Sequence, residues 1–482
     1  MIQFLIIRRL IGAMLMIFGS SMLPPLAVSL IYADGKWTVF FALMLLTLAI
    51  GFLLFRNTPH QREPKTRDGI VIVVLIWLGF SLIGSLPFVW GLGLSFTDAS
   101  FEAVSGLTTT GATVLSGLDG MAKSILWYRM QLHFFGGMGV IILAVAILPM
   151  FNVGGARLFK SEATGVNKED KLAPRIAQTA RLLWLVYVCL IGATAFAFWL
   201  AGMTVFDAIC HAISAVATGG FGNYDASLGY YDSDAIHLIA MVAMLAGAVN
   251  MGLHFAVWHR KDVAIYGRDQ ETRTFLGIVL FVAIVACAVL IANSTYPSLW
   301  QTVKVALFHV ISIITSSGYT IADMSVWPMF VPLFVIACSY FGGCSGSTAG
   351  GIKILRVFLL FKQASREAKR LVQPGIVAHV KYNGRIVPEG VADSVWGFFA
   401  LWILTAAMLT LLLVGTGLSP VGAFGAAAAS LNNMGVGLAE VGSTFAGVST
   451  AGKWLLSFAM LLGRLEIFTF FVLFTPIFWR RF

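Results

Sequence analysis

The chain has 482 residues, 59% of them hydrophobic and only 11% charged, with a formal net charge of +10. That little charge cannot cover the surface of a soluble protein this size, which excludes an ordinary water-soluble enzyme or scaffold. Nucleic-acid binding gains no support either, because no basic patch is interleaved with exposed aromatic residues.

The charge is also confined. Leu10–Ile31, Trp37–Phe55, Gly69–Thr97, Met130–Ala156, Leu182–Phe206, Ala235–His259, Thr274–Val303 and Met324–Ile352 hold no Asp, Glu, Lys or Arg. A membrane-spanning helix needs about 20 apolar residues, so each run is long enough to cross. Ser394–Ala439 is 46 residues long, too long for one span, and Trp454–Trp479 carries Arg464 and Glu466 inside it. The first run follows Arg8 and Arg9 but is of full spanning length and is followed at once by a second, which predicts a retained helical hairpin rather than a signal peptide.

Placing both termini and residues 56–68, 151–181, 259–273 and 352–390 on the cytoplasmic side puts 26 of the 32 basic residues there, the positive-inside pattern. The opposite side is acidic, with Asp98, Glu102, Asp119, Asp207, Asp225, Asp232, Asp234, Asp323 and Glu440. Such a rim would concentrate cations, although most of these residues also read individually as solvated loop or cap residues. Cys189, Cys210, Cys287, Cys338 and Cys344 lie in apolar segments without framework spacing and read as small core residues.

Four stretches align without gaps on one glycine: 95–111, 204–220, 302–318 and 419–435. Sixteen positions before the glycine stand Ser95, Thr204, Thr302 and Ser419; six before it stand Ser105, Ser214, Ser312 and Ala429. The glycines are 109, 98 and 117 residues apart, a repeat of roughly 100 residues. In each unit a span precedes and follows a stretch too short to cross twice. Ser95 with Asp98, and Thr204 with Asp207, fit a hydroxyl N-cap with a carboxylate three residues on. The stretches end in Thr109-Thr110-Gly111, Thr218-Gly219-Gly220, Ser316-Ser317-Gly318 and Asn433-Met434-Gly435.

This pattern predicts an all-α polytopic membrane protein: an N-terminal transmembrane hairpin (1–67) and four helix–pore loop–helix repeats, 68–156, 157–272, 273–385 and 386–482, around a pseudo-fourfold pore. Irregular backbone is tolerated at membrane depth only where it lines a polar cavity or is buried in protein. Its carbonyls can replace the water shell of a cation, and a short helix ending before them turns its negative end to the cavity. The twelve residues just named are therefore the candidate cation site. The competing reading is small-residue helix packing. No catalytic constellation emerges: His-Glu-x-x-His and Gly-x-Ser-x-Gly are absent from the sequence.

The four stretches look like degenerate forms of the potassium-channel filter Thr-Val-Gly-Tyr-Gly. With Leu107–Thr113, Gly136–Pro149, Gly342–Gly351, Leu431–Gly435 and Gly463–Glu466, nearly the whole chain resembles the bacterial Trk potassium-uptake subunits (TrkH/TrkG type) of the Trk/Ktr/HKT superfamily. The extra N-terminal hairpin looks like Trk rather than Ktr. The resemblance implies potassium as the substrate bound in the filter and no organic cofactor. It also implies a homodimer, and cytoplasmic TrkA-type regulatory subunits that bind nucleotides and NAD. The basic loops 157–181 and 353–385 are the expected docking surface, and membrane lipid phosphates would suit them equally. Gly111 at the first filter glycine favours potassium over the sodium-coupled or sodium-permeable transport of Ktr and HKT relatives, whereas Asn433-Met434 departs most from Thr-x and suggests looser selectivity.

Two further features belong to this reading. Trp327 to Lys362 would be 36 residues of continuous helix, about 54 Å against a hydrocarbon core of about 30 Å. Within it Gly342, Gly343, Cys344, Ser345, Gly346, Ser347, Thr348, Gly350 and Gly351 predict a loop inside the membrane below the filter, where the family has its gating loop. A phosphate loop is excluded, since no Gly-Lys-Ser/Thr follows. Arg464 lies ten residues into the last span and must face protein or water. It reads either as a structural partner of another helix or, as the family suggests, as a positive barrier in the gate.

Overall fold

A computed structural model describes residues 4–56, 66–146, 172–376 and 378–480. Segment 157–171 of the first basic loop lies outside the described residues.

The N-terminal hairpin pairs α1 (Phe4–Ser20) and α2 (Leu23–Tyr32), one span with a break, against α3 (Trp37–Phe55). Small residues set the contact. A Cβ on Gly12 would stand 2.6 Å from the Phe55 nitrogen and 2.7 Å from the Gly51 oxygen, so only glycine lets α1 and α3 approach this closely. Gln131 Nε2 donates to the Ser21 carbonyl at 2.6 Å, and the Asp34 carboxylate accepts from the Ser124 amide at 2.9 Å, tying the hairpin to the body.

The body repeats one plan. In the first unit α4 (Thr66–Leu92) leads to α5 (Phe96–Leu107) and α6 (Lys123–Ala146). The second runs α7 (Leu172–Leu200), α8 (Val205–Val216), α9 (Asp234–Ala248) and α10 (Met251–Arg260), with a short α11 (Ala264–Arg268) after it. The third has α12 (Gln270–Ala292), α13 (Leu299–Ile314), α14 (Phe330–Ser339) and α15 (Ile354–Val372). The fourth has α16 (Glu389–Gly415), α17 (Pro420–Leu431), α18 (Thr450–Arg464) and α19 (Ile467–Phe471). Among the described residues six helices are long and apolar enough to cross a membrane, or eight spans if each of two bent pairs counts as one.

The short helices α5, α8, α13 and α17 form the centre of the core, and most of their residues are buried. Ser95, Thr204 and Ser419 cap three of them as the sequence predicts, each hydroxyl accepting the amide three residues on. The third differs. Ser298 is the cap, and Thr302 lies one turn inside α13, its hydroxyl donating to the Ser298 carbonyl at 3.0 Å. This helix has 16 residues where the other three have 12.

The second spans are less regular than their apolar runs suggest. Between α9 and α10 the chain bends by 99°, and between α18 and α19 by 109°. Between α14 and α15 it leaves the helix for residues 340–353. A two-stranded antiparallel ladder, β1 (Lys381–Tyr382) with β2 (Arg385–Ile386), departs from an all-helical chain. Its turn residues Asn383 and Gly384 have φ of 43° and 78°, as a tight hairpin requires. Cys210, Cys338 and Cys344 are buried as expected, but Cys189 is exposed on the outer face.

Candidate ion pathway

Each short helix ends in the same way. Counting from the aligned glycine as zero, position −2 is left-handed in all four repeats: Thr109 (φ 50°), Thr218 (52°), Ser316 (57°) and Asn433 (51°). The amide at −1 then reaches back to the carbonyl at −6. Thr110 bonds Ser105 at 2.9 Å, and Gly219–Ser214, Ser317–Ser312 and Met434–Ala429 are each 2.8 Å. With the −2 to −5 bonds this is a Schellman cap, which fixes where the chain leaves each helix. Position −6 therefore acts through its carbonyl, and Ala429 serves as well as the three serines.

Position zero is left-handed again, with φ of 82° at Gly111, 82° at Gly220, 77° at Gly318 and 80° at Gly435. Position −1 is not, and the alternation turns successive carbonyls to one side. It also explains the glycine, since a side chain is strained at this φ. Space gives a second reason. A Cβ on Gly111 would overlap the Gly219 carbonyl, one on Gly220 the Ser317 carbonyl, one on Gly318 the Met434 carbonyl, and one on Gly435 the Thr110 carbonyl. Each glycine thus lies against the −1 carbonyl of the next repeat, and the fourth closes on the first. The structure brings all twelve candidate residues into one closed ring.

The ring is held from behind. Asn433 Nδ2 donates to Thr110 Oγ1 at 3.0 Å and to the Met460 carbonyl at 2.9 Å, so the residue that departs most from the filter pattern joins repeats four and one. Hydroxyls at −3 and −1 pair in two repeats, Thr108 with Thr110 at 2.7 Å and Thr315 with Ser317 at 2.9 Å. Gly136, Gly247 and Gly463 let their second spans pass the ends of the short helices, where a Cβ would strike the carbonyls of Leu107, Val216 and Leu431.

The glycine-rich loop packs against the ring segments of repeats two to four. The Gly350 amide donates to Ser316 Oγ at 2.6 Å, Thr218 Oγ1 donates to Thr348 Oγ1 at 3.3 Å, and a Cβ on Gly350 would overlap the Asn432 carbonyl. Thr348 Oγ1 lies 2.9 Å from the Val216 carbonyl and 3.0 Å from that of Gly247, and the Cys344 amide bonds Ala248 at 2.8 Å. Cys344, Ser347 and Thr348 are fully buried, so this non-helical backbone is shielded from lipid as its depth demands. Gly342 takes φ 69° against Gly350, Gly346 71° and Gly351 81°, while Gly343 packs on Ala349 and the Ser345 amide points to Glu271.

Arg464 ends α18 beneath the ring and is buried. Its two terminal nitrogens donate to the Thr348 and Gly136 carbonyls, both at 2.8 Å. Glu466 points elsewhere and pairs with Arg356 at 2.6 Å.

Glu271 escaped the sequence reading, and two acidic residues lie elsewhere than the rim it assigned them. Glu271, at the start of α12, accepts the Ser345 amide at 2.6 Å and the Leu355 amide at 3.2 Å, and so ties the loop to the first turn of α15. Glu102 and Asp207 do not belong to a solvent rim. Both are buried in short helices, Glu102 beside Arg129 at 2.8 Å and Asp207 among Thr204, Asn223 and Tyr224. Asp119, Asp225, Asp234, Asp323 and Glu440 keep the expected exposure.

Six spanning helices and two bent pairs among the described residues, with a closed ring of four glycine-centred segments, define a multi-pass membrane protein of the ion-transporting class. The family model TrkH, a cation transport protein, matches residues 36–480, and the chain belongs to this family. It is 44% identical over 482 residues to the Trk system potassium uptake protein TrkH of Salmonella typhimurium, covering 99% of this chain and 100% of that one. It is 40% identical over 479 residues to the Trk system potassium uptake protein TrkG of Escherichia coli, covering 98% of each. The crystal structure of the potassium transporter TrkH from Vibrio parahaemolyticus superposes with a TM-score of 0.93 at 44% identity, over 99% of this chain and 100% of that one.

Proposed function

We propose that the chain takes up potassium across the bacterial inner membrane, with both termini in the cytoplasm. The observation that carries this reading is the closed ring of four left-handed glycines, each against the next repeat's carbonyl. Carbonyls fixed on one axis can substitute for the water of a dehydrated cation. Thr109, Thr110, Gly111, Thr218, Gly219, Gly220, Ser316, Ser317, Gly318, Asn433, Met434 and Gly435 are the proposed filter. It holds no Lys or Arg, as a cation site requires. Full-length similarity to proteins named for potassium uptake supports the choice of ion.

The loop 342–351 and Arg464 are the proposed gate. The loop closes the path below the filter, and Arg464 holds it shut through the Thr348 carbonyl while adding a positive charge. Cytoplasmic TrkA-type subunits that bind nucleotides and NAD would bias the loop, since a ligand-driven partner can shift a two-state element it contacts unequally. The basic face of α15, with Lys362, Arg366, Lys369 and Arg370, is a proposed contact for those subunits or for membrane lipid, within a homodimer of the chain.

Expression in cells lacking their own potassium uptake tests this reading. Growth at low external potassium is the expected result, matched by rubidium accumulation and not by sodium. Absence of growth with the protein present in the membrane would contradict it.

A further inference from the structure

The short helices carry different residues at position −9: Glu102, His211, His309 and Ala426. Only the first is a carboxylate, and it is fully buried within the protein core. An isolated charge there is costly, yet every contact it makes is specific. Its oxygens accept Thr113 Oγ1 at 3.0 Å each, the Val114 amide at 3.1 Å and Arg129 Nε at 2.8 Å. Thr113 and Val114 are positions +2 and +3, where the first ring segment leaves the ring.

Arg129, on α6, is buried too and carries the contact onward. Its Nη1 donates to the Gly222 carbonyl at 2.9 Å, and its guanidinium lies 4.0 Å from the Phe221 ring centre. Gly222 is position +2 of the second repeat, the counterpart of Thr113. Arg129 Nη2 also reaches Thr113 Oγ1 at 3.3 Å. On its other side the Thr113 carbonyl accepts the Phe445 amide at 2.9 Å and Thr444 Oγ1 at 3.2 Å, both from repeat four. One buried ion pair thus ties together the outer ends of segments one and two, through a threonine that also anchors segment four.

Between repeats two and three the bond is of another kind. Tyr319, at position +1, donates its hydroxyl to the Phe221 carbonyl at 3.1 Å. The links between neighbouring segments thus differ in kind, and the charged one joins segments one and two. A buried ion pair gives little net stability over an apolar replacement, but it holds geometry.

Resting on the filter reading above, we propose that Glu102 and Arg129 are positioning residues that fix the spacing of the outer filter ends and so sharpen discrimination between potassium and sodium. They touch no ion and act through Thr113 and Gly222.

The test uses the full chain in lipid vesicles, with potassium and sodium flux measured per quantified protein for Glu102→Gln, Arg129→Lys and the neutral double variant Glu102→Gln/Arg129→Gln. Glu102→Gln keeps the shape and loses the charge, and Arg129→Lys keeps the charge and loses the fork that spans Thr113 and Gly222. Each should lower the potassium-to-sodium flux ratio on the order of tenfold, as removing the second layer around an ion site does. The double variant removes the buried charge altogether; it should fold at least as well as either single one and still show the lowered ratio. Gly220→Ser, in the ring itself, is the control. If it shifts the ratio while the three variants leave it unchanged and lose only thermal stability, the pair is a structural ion pair and the proposal fails. If Gly220→Ser leaves the ratio unchanged as well, the filter reading fails with it.

Discussion

Replacement of Gly111, Gly220, Gly318 or Gly435 by Asp will abolish potassium uptake while the protein still reaches the membrane. Two physical terms act together. The glycines have φ of 77–82°, where a side chain costs about 1–2 kcal/mol. The new Cβ would also overlap the −1 carbonyl of the next repeat, so that carbonyl must move. Displaced ligands and a trapped carboxylate should lower flux on the order of 100-fold, the upper range for loss of partners at an ion site. Serine adds the Cβ without the charge and should shift the potassium-to-sodium ratio before it ends transport. Because the ring is closed, any one of the four positions should suffice. If all four Asp variants support normal growth at low potassium, with membrane amounts matched by immunoblot, the ring is not the pathway.

The second large effect is expected at Arg464. Its side chain joins the loop, through Thr348, to α6, through Gly136. Arg464→Ala removes the tie and the charge together. Repulsion of a cation by such a charge is about 4 kcal/mol at 4 Å with an effective dielectric of 20, and water and side-chain motion reduce it. Flux per molecule should therefore rise about tenfold rather than a thousandfold. Arg464→Lys keeps the charge and should change flux far less. Shortening Gly342–Gly351 should raise flux further and weaken dependence on cytoplasmic subunits. A purely structural Arg464 gives the opposite order, because Ala removes the tie between the buried Thr348 carbonyl and α6 and lowers expression and flux together. A fall in per-molecule flux for Arg464→Ala, measured in vesicles, would take the residue out of the gate.

What could be read from the sequence follows from which constraints are local. The ring glycines were legible because a left-handed φ and a close carbonyl exclude every other residue, four times at one offset. The intramembrane loop was legible because five glycines in ten residues cannot hold an exposed helix. The caps at Ser95, Thr204 and Ser419 were legible, but Thr302 was misleading because α13 extends one more turn to Ser298. The breaks at 249–250 and 465–466 were not predicted, although each carries a polar residue, Asn250 and Glu466, where the second helix of the bent pair begins. Non-glycine residues even occupy left-handed positions at the second break and at the loop's end, with φ of 59° at Glu466 and 80° at Lys353.

The acidic residues were misread for a different reason. Glu102 and Asp207 were grouped by charge alone, and their partners Arg129, Asn223 and Tyr224 lie elsewhere in the chain. Glu271 was missed likewise, because its partners Ser345 and Leu355 follow more than 70 residues later. Long-range pairing of buried charge is set by packing, and a single sequence contains no local signal for it.

The central claim is that four glycine-centred segments form one potassium-selective path. Its most direct test is the flux of potassium and of sodium through the purified chain in sealed lipid vesicles, each driven by its own gradient and normalised to protein. The account predicts potassium and rubidium flux on the order of tenfold or more above sodium, as a site of fixed carbonyls selects. Sodium flux equal to potassium flux through the intact ring would contradict it.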